Sequence, residues 1–373
     1  MKKFKTIDLC AGIGGIRKGF ELTGYFENVL SAEIDVYARE TYKKLYGEYP
    51  REDLTSPAFK EEVKAINYDV LLAGFPCQTF SSAGLKKGFS DEAKGQIFFH
   101  IKEILENTKP KAVFLENVEY LVRHNKGRTF KEIIRILVQE LGYKIVGVSE
   151  DGEDLSYDWR SFVRNTKNFG LPQNRSRVYI VGFLKDYFKN WKNIPDELPK
   201  KRGRGAIFDS LESVIEFGAS EEFFMSSGYL ETLRRHKIRQ RDKGNGYGYC
   251  VLNDENKRVA NTILATGGSG KERNLIRDEK GGARARGKIL KGRRSPINED
   301  SIRVMTPDEW GRLQGFIGYA FVDEKGEDQF RFPDGLSLVH RYKQLGNSVS
   351  IPVIEEIANF MKAVFLDNLI CDI

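Results

Sequence analysis

The sequence predicts an α/β fold: a mainly parallel sheet with helices on both faces, followed by a second, smaller and irregular domain. Three observations carry that reading. Short apolar runs alternate with amphipathic stretches through the first half of the chain, and strand–helix alternation builds parallel sheets. After about Leu184, basic and glycine-rich segments replace the alternation. Order returns at Arg303, and the chain closes on an apolar helix.

Apolar runs at 4–9, 29–33, 70–73, 113–115, 144–148 and 178–181 read as buried strands. Between them, 16–22, 37–46, 97–105 and 129–141 space their apolar residues as helices do. The middle region shows neither a repeat nor a helical period. It contains KKRGR at 200–204, a glycine- and tyrosine-rich stretch at 242–249, and seven Lys or Arg with four Gly and no acid at 280–294. That character suits a loop-built domain that reads nucleic acid; a solvated linker with flexible loops is the other reading. Residues 351–366 place Val353, Ile354, Ile357, Phe360, Met361 and Val364 at helical spacing, a helix expected to pack back on the first domain.

At 373 residues, 40% hydrophobic and 30% charged, the chain is a globular protein with room for two domains, not a disordered or fibrous one. A formal net charge of +7 is compatible with a polyanionic partner. Cys10, Cys77, Cys250 and Cys371 lie far apart with no Cys-x-x-Cys pair, which argues against a zinc knuckle or a disulfide framework. The opening MKKFKTIDLCAGIGG lacks the apolar run of a signal peptide. No stretch reaches the roughly 20 apolar residues of a membrane span. The expected location is the cytoplasm, without membrane attachment.

DLCAGIGG follows the first strand and opens a helix, with Gly12, Gly14 and Gly15 in the turn. Glycines let a backbone approach a ligand closely, and a helix N-terminus favours negative charge. The pattern is not quite G-x-G-x-x-G, and alone it indicates only a nucleoside-type cofactor, anchored by a pyrophosphate or a carboxylate. Glu33, at the end of the second strand, is placed to hold ribose hydroxyls. Asp53 falls where a third strand would end and could accept from an adenine amino group. Each acid also reads as an ordinary surface carboxylate.

The most specific segment is DVLLAGFPCQTFSSAG, residues 69–84. A strand runs into Gly74-Phe75-Pro76-Cys77-Gln78, and loops after strand ends face the ligand crevice of an open parallel sheet. Most cysteines are small buried hydrophobes, yet Cys77 lies just past the strand rather than inside it. AVFLENV delivers Glu116 and Asn117 to the same edge, which makes a thiolate and a carboxyl a candidate nucleophile and acid. In FGLPQNRSRVYIVGF, Arg175 and Arg177 alternate before an apolar strand and are expected to point the same way. Surface ion pairing is their alternative role.

DLCAGIGGIRKGF, GFPCQTFSSAG, LENV, QNRSRVYIVGF, RVMTPDEWGRLQGF and YKQLGNSVSIPV stand in this order along the chain. The series resembles that of the cytosine-5 DNA methyltransferases, over nearly the whole length except roughly 186–300, the family's variable recognition region. The resemblance implies a Rossmann-like S-adenosylmethionine-dependent methyltransferase sheet with a second, smaller irregular target-recognition domain. Residues 1–188 plus 338–373 would form the catalytic and cofactor-binding domain, and 189–337 the target-recognition domain and hinge. The implied activity moves a methyl group from S-adenosylmethionine to carbon 5 of a flipped-out cytosine in a specific double-stranded DNA sequence. It does so through a Cys77 adduct at carbon 6 and leaves S-adenosylhomocysteine; no metal is expected.

By the same resemblance, Cys77 is the nucleophile, Glu116 contacts cytosine N3, Arg177 holds the base and Arg175 supports it. Phe75 and Pro76 shape the pocket. Cofactor contacts are expected at Asp8, Cys10, Ala11, Gly12, Gly14, Gly15, Glu33, Ile34, Asp53, Leu54, Gly74, Pro76, Ile97, Asn347, Ser348 and Val349. DNA contacts are expected at Gln78, Ser81, Thr262, Gly267, Gly268 and Asn347, with Asn347 bracing the target loop. Arg303, Glu309, Arg312 and Gln314 resemble the organising positions of the hinge. The sequence departs from the pattern at Cys10, where the family usually places a Phe stacked on adenine; a thiol offers less stacking area.

The resemblance further implies a monomer of bacterial or phage origin, acting on double-stranded DNA, with a restriction endonuclease as a separate companion. Three rival readings differ in class. An RNA cytosine methyltransferase would have a more compact recognition region. A silent DNA-binding relative would not need Cys77, Glu116 and Arg177 intact. A dinucleotide oxidoreductase leaves Pro76-Cys77-Gln78 and GNSV unexplained.

Overall fold

A computed structural model describes residues 3–76, 97–244, 248–254, 257–265 and 273–369. In chain order it contains β1 (Phe4–Leu9), α1 (Gly15–Glu21), β2 (Phe26–Ala32), α2 (Val36–Tyr46), α3 (Pro57–Ala65), β3 (Val70–Gly74), α4 (Ile97–Thr108), β4 (Ala112–Val118) and α5 (Arg128–Arg135). Short strands follow: β5 (Tyr143–Ile145), β6 (Ser149–Asp151), β7 (Asp154–Ser156), β8 (Val163–Asn165) and β9 (Gln173–Asn174), then the long β10 (Ser176–Leu184). The remainder comprises α6 (Ser227–Asp242), β11 (Cys250–Val251), β12 (Ala260–Asn261), β13 (Asn274–Arg277), α7 (Glu279–Ala285), β14 (Ile302–Val304), α8 (Pro307–Gln314), α9 (Leu338–Asn347) and α10 (Ile351–Asn368).

Two compact units result. The first comprises residues 1–168, 176–203 and 351–373; the second, 169–175 and 204–350. Residues 338–350, which the sequence groups with the first domain, fall in the second unit, where α9 packs on α8.

The first unit is built on a seven-stranded sheet in the order β2-β1-β3-β4-β10-β5, with β8 also paired to β10. β2, β1, β3 and β4 are parallel to one another, whereas β10 runs antiparallel to β4, β5 and β8. The expected parallel sheet is therefore interrupted by one reversed strand. An apolar run reports burial, not direction, so the sequence pattern could not show the reversal.

Side chains alternate across the strands. Ile7, Leu9, Leu71, Ala73, Val113 and Leu115 join a core with Phe59 and Val63 of α3, Ile101 and Leu105 of α4, and Ile133 of α5. Phe114 turns the other way and meets Phe20 of α1 edge-on, at 5.4 Å between ring centroids. Phe365 of α10 lies 4.5 Å from Phe4 on that side. Where α1 crosses α10, a β-carbon added to Gly19 would come within 2.6 Å of Ile354, so only glycine permits the crossing.

Local chemistry explains several boundaries. Asp35 caps α2 by accepting from the Tyr37 and Ala38 amides, and Gly47 ends that helix at φ +78. Helix α3 was not foreseen, because only Phe59 and Val63 face the core; its signal is the Ser56 cap with Pro57 behind it. The third strand expected near Asp53 is reduced to one bridge, Ala32 to Arg51. The strand expected at 144–148 ends at Ile145, since Gly147 turns the chain at φ +85.

The second unit carries a three-stranded sheet, β11-β13-β14, and a β12–β9 pair. Two helices lie in the stretch that shows no helical period in sequence. Helix α6 escapes notice because only Leu230 and Leu233 are buried among seven charged residues. In α7, Gly281 and Gly282 are packed rather than flexible: a β-carbon on Gly281 would meet the Ala219 carbonyl at 2.8 Å, and one on Gly282 would strike Ser301. Arg303 and Glu309 are fully buried and paired at 2.7 Å, and Arg303 also reaches Asp278 at 3.1 Å. Burial alone would raise the Asp278 carboxyl, but the Gly281, Gly218 and Ala219 amides and Arg303 hold it below the usual range. Among the described residues, no helix is long and apolar enough to cross a membrane.

The aromatic contact between α1 and the sheet gives a direct stability test. Phe20 is fully buried, with Phe26 at 5.1 Å and Phe114 at 5.4 Å. Phe20→Ala is expected to lower the unfolding free energy by about 3–5 kcal/mol in urea titrations. A loss below about 1 kcal/mol would mean that α1 is not anchored there.

Candidate active site

β1 ends at Leu9 and the chain turns through three left-handed residues: Cys10 at φ +56, Gly12 at φ +56 and Gly14 at φ +78. At Gly14 a side chain would run into the Tyr46 ring, whose hydroxyl donates to the Gly14 carbonyl at 2.7 Å. Gly12 differs, because a β-carbon built there meets nothing within 4 Å. The turn therefore faces open space at Gly12, while Ala11 and Gly15 are buried beneath it.

Glu33 locks this turn to the end of β2. One carboxylate oxygen accepts from the Gly12 amide at 2.7 Å and the other from the Asp35 amide at 2.8 Å. Burial raises the Glu33 carboxyl above its ordinary range, against the pull of those amides. The next residue, Ile34, is 78% exposed, a large apolar side chain presented to solvent beside the acid. The Glu33 amide donates to the Arg51 carbonyl at 2.8 Å, which brings the following segment alongside β2. There the exposed Asp53 accepts from the Thr55 hydroxyl at 2.7 Å and amide at 2.8 Å, which holds its carboxyl low, and Leu54 is buried.

Two titratable groups, the half-buried Cys10 and the buried Asp8, lie at the turn. Burial pushes the Cys10 thiol far up, with the Glu33 and Asp8 charges adding to the effect, so it stays protonated and is a poor nucleophile. Asp8 is fully buried; one oxygen accepts from the Arg17 amide at 3.3 Å and the other has no hydrogen-bond partner. Burial pushes its carboxyl up to about 7.

The second group of residues forms where β3, β4 and β10 meet. Gly74 stands opposite Glu116 in the β3–β4 register, and Tyr179 stands opposite Glu116 in the β10–β4 register. A β-carbon on Gly74 would lie 3.2 Å from Ile16, a tight approach, and 3.6 Å from Glu116 Oε2, an ordinary contact. Arg177 Nε lies 3.3 Å from Glu116 Oε1, with both side chains largely buried. The buried Asn117 donates to the Phe75 carbonyl at 2.8 Å and accepts from the Val118 amide at 2.8 Å. This tie fixes Gly74-Phe75-Pro76 against β4, and Phe75 packs 5.8 Å from Phe98, next to Ile97 at the start of α4. Cys77, Gln78 and Ser81 lie outside the described residues, as do Gly267 and Gly268.

Arg175 and Arg177 have different partners, contrary to the same-face expectation. Arg175 sits between β9 and β10, outside either strand, so strand alternation does not relate the two. Its buried guanidinium donates to the carbonyls of Ile263 at 3.0 Å, Gly346 at 3.1 Å and Ser348 at 2.5 Å. Gln173 donates to the Leu313 carbonyl at 2.8 Å and accepts from the Ile263 amide at 3.2 Å. Gln314 donates to the Leu345 carbonyl at 3.1 Å, and the Thr262 hydroxyl donates to the Asn174 carbonyl at 2.6 Å. Gly346 has no room for a side chain, because a β-carbon would press on the backbone of Leu264 and Ala265. Within the second unit, residues 173–175, 262–265 and 345–348 are thus one hydrogen-bonded knot. Asn347 is exposed at its edge, Ser348 half-buried and Val349 buried. Sequence reasoning missed Gln173 and the Asn117 tie, since both act through backbone groups distant in sequence.

Asp8 supplies a pH test. Its carboxyl ionises near 3.8 when unfolded and near 7 when folded, so the unfolded chain loses the proton first. The native state therefore loses stability as pH rises from about 4 to about 7, and the loss is complete above that range. Urea unfolding at pH 5 and pH 8 should show Asp8→Asn gaining stability relative to the wild type at the higher pH. An unchanged difference would show that Asp8 ionises normally in the native state.

The chain matches the family model described as C-5 cytosine-specific DNA methylase over residues 4–363. It is 40% identical to the type II methyltransferase M.HpaII of Haemophilus parainfluenzae over 357 residues, covering 95% of this chain and 88% of that protein. With the type II methyltransferase M.NlaX of Neisseria lactamica it shares 38% identity, covering 96% of each. Among solved structures, the Entamoeba histolytica methyltransferase EhMeth superposes with a TM-score of 0.67 at 20% identity, covering 98% of this chain and 99% of that one. That likeness supports the Rossmann-like methyltransferase fold. By the extent of the family match and the identity to these relatives, the protein belongs to the C-5 cytosine-specific DNA methylases.

Proposed function

We propose that this DNA cytosine-5 methyltransferase takes its methyl group from S-adenosylmethionine and modifies a flipped-out cytosine in a specific duplex sequence, with Cys77 as nucleophile. The observation that carries the reading is the strand-end knot. Asn117 holds Phe75 against the edge where Glu116 and Arg177 meet, and Cys77 follows two residues later in the sequence.

The residues of the turn fit the proposed cofactor. Open space at Gly12, a solvent-facing Ile34, the acid Glu33 and the unpartnered oxygen of Asp8 offer a backbone approach, an apolar surface and polar acceptors around the ends of β1 and β2. When bound, S-adenosylmethionine supplies an electrophilic methyl on a sulfonium.

Carbon 5 of cytosine is too weak a nucleophile to take that methyl unaided. In the proposed route the Cys77 thiolate forms a bond to carbon 6, and the displaced π electrons enrich carbon 5 while charge builds toward N3. Glu116, which has to be protonated for this step, passes its proton to N3 and drains that charge. Arg177, beside Glu116, orients the carboxyl and the base. Carbon 5 then takes the methyl and its own proton leaves to a base; the sulfur–carbon 6 bond breaks to return the thiolate as the N3 proton goes back to Glu116. The base must leave the stack first, at a cost of a few kcal/mol that contacts to the duplex have to offset. Arg175 is a positioning residue in this scheme, since its two terminal guanidinium nitrogens are bonded to three backbone carbonyls. The type II relatives favour a role beside a restriction endonuclease in a bacterial cytoplasm.

Bisulfite sequencing of DNA from cells expressing the protein tests this directly. The wild type should protect cytosines in one sequence context, and Cys77→Ser should protect none. Glu116→Gln should lower kcat by about a hundredfold or more while S-adenosylmethionine still binds. Unchanged protection with Cys77→Ser would refute the reading.

A further inference from the structure

The segment that leaves β4 after Glu116 and Asn117 carries exposed cationic and aromatic side chains for which the reaction above has no use. Tyr120 is 62% exposed, and Arg123, Lys126 and Arg128 reach solvent. The Arg123 guanidinium lies 5.3 Å from the centre of the Trp159 ring, and Arg160 lies 4.8 Å from the same ring. Cation–π contact orders long side chains without neutralising them.

Nearby acids do not cancel this charge. Glu119 is 3.8 Å from Arg123 and Asp158 is 3.3 Å from Arg160; all four side chains are well exposed, so each pairing is weak. Arg128 donates to the carbonyl and side-chain oxygens of Asn125, which are neutral acceptors. Among the described residues Lys126 forms no ion pair.

Arg123 lies seven residues beyond Glu116, so their α-carbons are at most about 25 Å apart. The turn at Glu119–Val122 is a 3-10 helix, which rises only about 2 Å per residue and shortens the span further. That distance falls within one turn of duplex DNA, about 34 Å.

We propose that the β4–α5 segment is a docking surface for the sugar–phosphate backbone of duplex DNA, with Arg123, Lys126 and Arg160 taking phosphates and Tyr120 lying against the backbone. The proposal rests on the reading of Glu116 as the group that meets the target base, because the surface is continuous in chain with it. Contacts of this kind fix register on the duplex and carry no sequence information. Their mark is salt dependence, since each neutralised phosphate adds about 0.9 to the slope of log affinity against log salt.

The test uses the full chain, a fluorescent mixed-sequence duplex and a series of potassium chloride concentrations. Arg123→Gln with Lys126→Asn removes two charges; asparagine suits the left-handed backbone at 126, where φ is +57. The slope should fall by about 2, affinity in 0.1 M salt should drop about tenfold or more, and KM for DNA should rise similarly while S-adenosylmethionine binding holds. Glu119→Gln removes the acid beside Arg123 and should tighten DNA binding, a gain that a folding defect cannot produce. If the wild type methylates DNA and both variants leave slope and affinity unchanged, the docking surface is wrong and the reading of Glu116 stands. If the wild type methylates no DNA, the reading beneath the proposal fails with it.

Discussion

A carboxylate that is largely withdrawn from water needs partners, and Glu116 finds them only because three strands end together. Gly74 stands opposite it on β3, Arg177 faces it from β10, and Asn117 beside it ties down Phe75. An uncompensated carboxylate in such a place would take up a proton or force the edge open. The antiparallel insertion of β10 beside β4 is what brings Arg177 to Glu116, so the one reversed strand of the sheet follows the site's requirement. In the proposed chemistry this same carboxyl must take up a proton before it can pass one to the base; the pairing with Arg177 favours the ionised form, so it fixes the position of the carboxyl and not its proton.

The first strand solves a different problem with similar means. Cys10, Gly12 and Gly14 place their backbone in the left-handed region, and Glu33 holds the turn in that form through the Gly12 amide. The second unit repeats the device with a cation: Arg175 gathers three carbonyls from segments nearly 90 and more than 170 residues away. In each unit a charged side chain thus assembles loops by bonding to their backbone. Breaking such a group is costly because the abandoned polar partners remain buried.

Much of the first unit was legible because its strands are apolar runs bounded by glycine turns, and the glycine turn, Glu33 and Glu116 stand at strand ends that sequence alone could mark. What escaped notice has physical reasons. The direction of β10 leaves no trace in hydrophobicity. Helix α6 buries only Leu230 and Leu233, too few to impose a period on a charged stretch. The glycines of α7 resemble those of a loop, yet they serve close packing against Ala219 and Ser301. Arg175 and Arg177 look like strand neighbours, but the strand breaks at Arg175 and the shared direction is lost. Gln173 and Asn117 act on carbonyls distant in sequence, and no local signal announces such bonds.

In the proposed reaction Cys77 bonds to the base that Glu116 meets. Incubating the protein with S-adenosylmethionine and duplex DNA carrying 5-fluorocytosine, which cannot release its carbon 5 substituent, should trap a covalent complex. Peptide mass spectrometry would locate the link. An adduct is expected on the peptide containing Cys77, and none in Cys77→Ser. No adduct from an enzyme that methylates ordinary DNA, or an adduct at another residue, would contradict it.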